Sequence, residues 1–143
     1  MNQDEIKALF DQQASSYDAQ WSKTLPIRNC LHLLLDAAFA ELTEEAHVLC
    51  VGVGTGAELS HLARNNPTWK FTAVEPSGAM LDICRKQAET EGFAGRCQFH
   101  EGYLESLPGA QIFDAATCLL VSQFILDRQA RSDFFHEIAR RLK

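Results

Sequence analysis

The stretch Val48–Leu59, "VLCVGVGTGAEL", decides how the rest of the chain is read. An apolar run enters three alternating glycines, Gly52, Gly54 and Gly56, and an alanine and a glutamate follow. That is the pattern of a buried strand, a tight turn and the start of a helix. Glycine permits the turn and lets a ligand approach the backbone closely. Free amides at the helix start favour a negative group. A triphosphate loop would need Gly-Lys-Ser/Thr where Ala57, Glu58 and Leu59 stand, so that chemistry is excluded.

Working outward, the first strand is expected over His47 to Val53 and a helix from Thr55 to about Arg64, closed by "NNP". "WKFTAV" reads as a second strand, after which Ser77 can cap a helix with Met80, Leu81, Cys84 and Ala88 on one face. "CQFHEG" is a short third strand and "FDAATCLLV" a fourth. Asp127 caps a last helix on which Phe134, Phe135, Ile138, Ala139 and Leu142 recur at helical spacing. On the N-terminal side, Leu31, Leu34, Leu35, Ala38, Phe39 and Leu42 form a helical stripe after Pro26. Before it, "DEIKALFDQQASSYDAQW" is a short helix or arm with Phe10, Tyr17 and Trp21 as aromatic anchors. The division is a helical arm or lid over residues 1–46 and a core over residues 47–143. Alternating strands and helices imply an α/β fold with right-handed crossovers and a mostly parallel sheet. In such a sheet the ligand sits beyond the carboxyl ends of the strands, at the glycine loop of strand one.

Two nucleotide readings fit that loop. "GVGTGA" satisfies the dinucleotide pattern, and Glu75, 23 residues after Gly52, ends the second strand where a carboxylate can accept both ribose hydroxyls. That suits NAD. It equally suits S-adenosyl-L-methionine, whose adenosine also carries a ribose diol. Its single carboxylate can be met by helix amides without a lysine, and its sulfonium is not disfavoured by an acidic neighbourhood. A tight turn with no ligand is the bland reading, weakened by the strand before, the helix after and Glu75. As a strand-end carboxylate, Glu75 is expected to lie outside the core.

The bulk properties bound the partners. The chain has 143 residues, enough for one domain with a core, and a net charge of −6. The acidic balance argues against a broad nucleic-acid surface. Five cysteines, Cys30, Cys50, Cys84, Cys97 and Cys118, are odd in number and scattered, which reads as reduced thiols in a cytoplasmic compartment. The opening "MNQDEIKALF" lacks the apolar centre of a signal peptide. No apolar run approaches the ~20 residues of a membrane span. The five histidines show no ligand spacing, so no metal is expected.

With these pieces in order, the chain from about Phe10 to Lys143 resembles the class I S-adenosylmethionine-dependent methyltransferases. "VLCVGVGTGAEL" resembles the family's first motif and "FTAVEPSGAML" its second. "FDAATCLLVSQFI" resembles the fourth-strand motif and "FDQQASSYD" the N-terminal arm, while "LLVSQFILDRQAR" is similar to carboxy-S-adenosylmethionine synthases of the same fold. The resemblance implies a three-layer Rossmann-like fold with strand order 3-2-1-4. It implies S-adenosyl-L-methionine as cofactor, with S-adenosyl-L-homocysteine as product and a small-molecule methyl acceptor, RNA being a lesser candidate. Gly52, Val53, Gly54 and Gly56 would meet the methionine portion, Glu75 the ribose, and Pro76 and Met80 the adenine. Leu119 would lie beside the sulfonium and Tyr17 would close over the cofactor. Tyr103 stands where relatives often have an acidic adenine contact. No residue is identified as catalytic. Alternatives are an NAD-linked oxidoreductase, for which no hydride-handling set is found, and a non-catalytic cofactor-binding or interaction module. Relatives continue past "RRLK" with further strands, so the C-terminal strands are expected to be missing here. The fourth strand would then be an apolar edge open to pairing with another chain.

Overall fold

The computed structural model describes all residues from Met1 to Lys143. Four strands, β1 (His47–Val51), β2 (Lys70–Glu75), β3 (Cys97–Glu101) and β4 (Ala115–Thr117), form one parallel sheet in the order β3-β2-β1-β4. Six helices surround it: α1 (Gln3–Gln13), α2 (Tyr17–Gln20), α3 (Leu25–Ala38), α4 (Ala57–Asn65), α5 (Gly78–Thr90) and α6 (Arg128–Ala139). No helix is long and apolar enough to cross a membrane.

β1 is central, and Val48, Leu49 and Cys50 are fully buried in succession. That is why its sequence is a continuous apolar run: both faces are covered. Val48 and Cys50 face Leu59 and Leu62 of α4 and Leu81 and Cys84 of α5. Leu49 and Val51 face the opposite layer, with Phe113, Leu104 and Ile138 of α6. The expected three layers and strand order are both present.

α3 runs alongside α4 in the same direction. The His32 ring lies 4.9 Å from that of His61, His61 Nε2 pairs with the Asp36 carboxylate at 2.9 Å, and Trp69, just past α4, donates to Thr43 O at 3.0 Å. The stripe expected on α3 is turned by about one position. His32 is buried and Leu35 and Phe39 pack inward, whereas Leu34 is exposed, because a histidine pair and an aspartate join the two helices.

Arg96, in the turn before β3, closes the far end of α4. Its guanidinium donates to Ala63 O, Asn66 O and Trp69 O at 2.8–3.0 Å. Arg96→Met should lower the unfolding free energy by about 2–3 kcal/mol, the loss of charge-assisted bonds to three carbonyls. Denaturant melts of the two proteins check this.

Three boundaries differ from expectation. β1 ends at Val51 rather than Val53, because Gly52 takes φ +67° and the chain turns. Gly52 N and Val53 N then both donate to Val74 O, on the β2 side. Having turned away, β1 offers no ladder to the fourth strand past Cys50↔Thr117, so β4 is three residues and not the expected nine. Leu120 follows at φ +58°, which breaks any continuation. On the last helix, Ile138 is buried as expected, but Phe135 is 46% exposed. Leu142 lies beyond the helix and bridges Phe113 in parallel, on the side of that chain away from β1.

Candidate functional site

The glycine turn lies at the carboxyl end of β1, between the ends of β2 and β4. Gly52, Gly54 and Gly56 all have positive φ, which other residues adopt only under strain. The three serve different ends. A Cβ on Gly52 would collide with the Val121 side chain, and one on Gly56 would come within 2.6 Å of Cys84 Sγ. Those two are glycine because the molecule packs against them. A Cβ on Gly54 would meet nothing within 4 Å. Gly54 alone faces open space, and there a ligand can reach the backbone.

Glu75, the last residue of β2, is 6% exposed and not the wet strand-end carboxylate expected from sequence. Gly54 N donates to its Oε2 and Ser77 N to its Oε1, each at 2.9 Å. Burial pushes its carboxyl above the usual range, while these two amides pull it back down. Glu75 thus ties the glycine turn to the start of α5. Ser77 caps α5 through a bond from Met80 N at 3.2 Å.

The arm reaches the end of every strand. Asp11 of α1 accepts from Ser77 Oγ at 2.6 Å and Ala79 N at 3.3 Å, beyond β2. Asp18 of α2 accepts from Thr55 Oγ1 at 2.8 Å, beyond β1. Tyr103, past β3, donates to Gln3 O at 2.9 Å. Phe124, past β4, meets Phe10 edge-on with ring centroids 5.3 Å apart. Tyr17 lies between Phe10 and Trp21, at 6.2 and 6.1 Å, and its hydroxyl is held above its ordinary pKa by burial, by Asp18 and by Glu75.

Among the residues singled out from sequence, Gly52, Gly54, Gly56, Glu75 and Tyr17 therefore gather round one turn. Val53 is buried within the turn, and Pro76 flanks Glu75 at half-burial. Leu119 is half-buried just past β4. Tyr103 sits under the arm rather than in the open. Met80 is 1% exposed, enclosed on α5. No group of His, Cys, Asp or Glu could hold a metal ion. Sequence reasoning missed Asp11 and Asp18, and the bond of the expected cap Ser77 to Asp11; the bonds to Ser77 and Thr55 span 66 and 37 residues and leave no local trace.

It also missed Glu58, in the first turn of α4. Glu58 is 5% exposed, its Oε2 has no partner, and Thr117 Oγ1 nearby has none either. Burial pushes its carboxyl up to about 8. The signal was a glutamate inside an otherwise apolar helical face, directly after the glycines.

The family described as "Methyltransferase domain" matches residues 48–143. A release factor glutamine methyltransferase of Synechocystis sp. is 40% identical over 67 residues, 44% of this chain and 22% of that protein. A SAM-dependent methyltransferase of Thiobacillus denitrificans, solved in complex with S-adenosyl-L-homocysteine, superposes with a TM-score of 0.64 at 26% identity, over 78% of this chain and 43% of that one. The [4+2]-cyclase SpnF superposes at 0.66 and 28% identity, over 78% and 41%. The chain thus spans about two fifths of the solved structures it matches and under a quarter of that curated relative. That family match, over two thirds of the chain, makes this chain a member of the methyltransferase-domain family.

Proposed function

We propose that the protein binds S-adenosyl-L-methionine at the glycine turn and transfers the methyl group to a small-molecule acceptor. The observation that carries this reading is the state of Glu75. A carboxylate has about four lone-pair sites. Backbone amides fill two of them, which leaves two, the number a vicinal ribose diol requires. The open space at Gly54, directly beside them, fits the same group. The methyltransferase of Thiobacillus denitrificans solved with S-adenosyl-L-homocysteine supports it by likeness.

In this reading Gly52, Val53, Gly54 and Gly56 surround the methionine portion, and the unpaired amides of the first turn of α4 meet its carboxylate. Pro76, Met80 and Tyr103 bound the adenine side, Leu119 borders the reacting end, and Tyr17 closes from above. The cofactor supplies a methyl already activated on a sulfonium. The chain holds acceptor and methyl in line and excludes water, and alignment of this kind can supply much of the rate. No general base is assigned. Five unpaired thiols support a reducing, cytoplasmic setting, and the net charge of −6 favours a small acceptor over RNA. The side of β4 away from β1 is the edge at which chain pairing is proposed.

Calorimetry with S-adenosyl-L-homocysteine and with NAD tests the ligand class. The first should bind and raise the melting temperature and the second should do neither; binding of NAD alone would overturn the reading.

A further inference from the structure

Asp11 reaches Glu75 in two steps. Its Oδ1 takes the Ser77 hydroxyl proton at 2.6 Å, and the amide of the same serine binds Glu75 Oε1 at 2.9 Å. Lys7 Nζ holds the other oxygen of Asp11 at 2.9 Å, which keeps Oδ1 turned toward the serine. Ala79 N adds a second donor to Oδ1 at 3.3 Å. The Ser77 hydroxyl also accepts from Met80 N, so its one proton has to go elsewhere, and Asp11 receives it.

We infer that Asp11 is a positioning residue for ribose recognition: by holding the Ser77 proton, it leaves the free lone pairs of Glu75 to a ligand diol. Without Asp11, the hydroxyl is freed to turn toward the Glu75 carboxylate, which already accepts from the amide of the same serine. The serine then occupies one of the two sites the diol needs. The arm contributes to ribose binding without touching the ribose. The inference rests on the cofactor reading above and adds a residue from outside the sheet to it.

The arm itself is not expected to detach when Asp11 is lost. Asp18 on Thr55, Tyr103 on Gln3 and Phe10 on Phe124 hold it at three other points. A loss of ribose recognition and a loss of the arm are therefore separable.

The test measures the affinity of the whole chain for S-adenosyl-L-homocysteine and for its analogue lacking both ribose hydroxyls. Asp11→Ala should weaken the first by about tenfold, the effect of one lost acceptor site on a charged group, and leave the second unchanged. Asp11→Asn keeps an acceptor oxygen for Ser77 and should restore most of the affinity. The double variant Asp11→Ala/Ser77→Ala has no hydroxyl to turn and should also recover. An equal loss for both ligands would make Asp11 a purely structural residue, and an unchanged affinity in Asp11→Ala would remove it from recognition; either overturns the inference and leaves the cofactor reading standing. Failure of the unaltered protein to bind S-adenosyl-L-homocysteine overturns the cofactor reading itself.

Discussion

Glu58→Gln should make the protein more stable above pH 8 and flatten its stability between pH 4.5 and 8. Burial holds the Glu58 proton up to about pH 8 in the folded protein, against the ordinary glutamate value of 4.5. Between those values the folded state binds more protons than the unfolded one, so stability falls as pH rises. The stability associated with the protonated form is complete below pH 4.5 and lost as pH passes the folded value. The difference corresponds to at most about 4–5 kcal/mol, at 1.36 kcal/mol per unit. The cause is visible in the structure: a carboxyl oxygen with no partner on a side chain that is almost fully buried. Glutamine carries no charge to enclose. Urea melts of the two proteins across pH 5–9, read as a difference, isolate the group from all others. Parallel curves would show that Glu58 is ionised in the folded protein at neutral pH.

Gly56→Ala should cost about 2–5 kcal/mol, through two causes that can be separated. A left-handed backbone costs a non-glycine residue about 1–2 kcal/mol, and Gly56 has φ +91°. Overpacking adds about 1–3 kcal/mol, because the new Cβ would sit 2.6 Å from Cys84 Sγ. Cys84→Ala in the same chain removes the sulfur and should recover the second part only. Gly54→Ala, open to solvent at φ +58°, should show the backbone part alone. Thermal melts of the four proteins give the comparison; equal costs at Gly54 and Gly56 would show that Cys84 yields without resistance.

The sheet was legible because its signals are local. An apolar run, a glycine cluster and a helical stripe follow one another, and their alternation fixes a parallel arrangement. Ser77 and Asp127 could be read as helix caps for the same reason, and both accept the expected amide. The length of β4 was not legible. "FDAATCLLV" has strand composition throughout, but a strand lasts only as long as its neighbour, and β1 turns away at Gly52. Nor was the face of α3, where His32, rather than the neighbouring leucines, points inward to pair with a residue 29 positions away. In the glycine turn, sequence indicated a close approach of some group to the backbone without saying which. At Gly52 and Gly56 the group is a side chain of the protein, and only Gly54 is left open. Glu75 was found from its spacing, but its burial and its two amide partners depend on a tertiary turn.

The bond between Gln3 and Tyr103 spans 100 residues, from α1 to the loop past β3, an edge strand of the sheet. During synthesis the arm leaves the ribosome before the surfaces it will cover. At about 5–20 residues per second, it waits roughly 5–20 s for Tyr103 to be made, and longer for Phe124. α1 carries its own capping box, Asn2 with Glu5, so it can be helical during that interval without a partner. Phe10, half-buried against Phe124, stays without that partner until the loop arrives. The arm is thus made well before it can be seated, because its contacts wait on loops that follow it by about 100 residues.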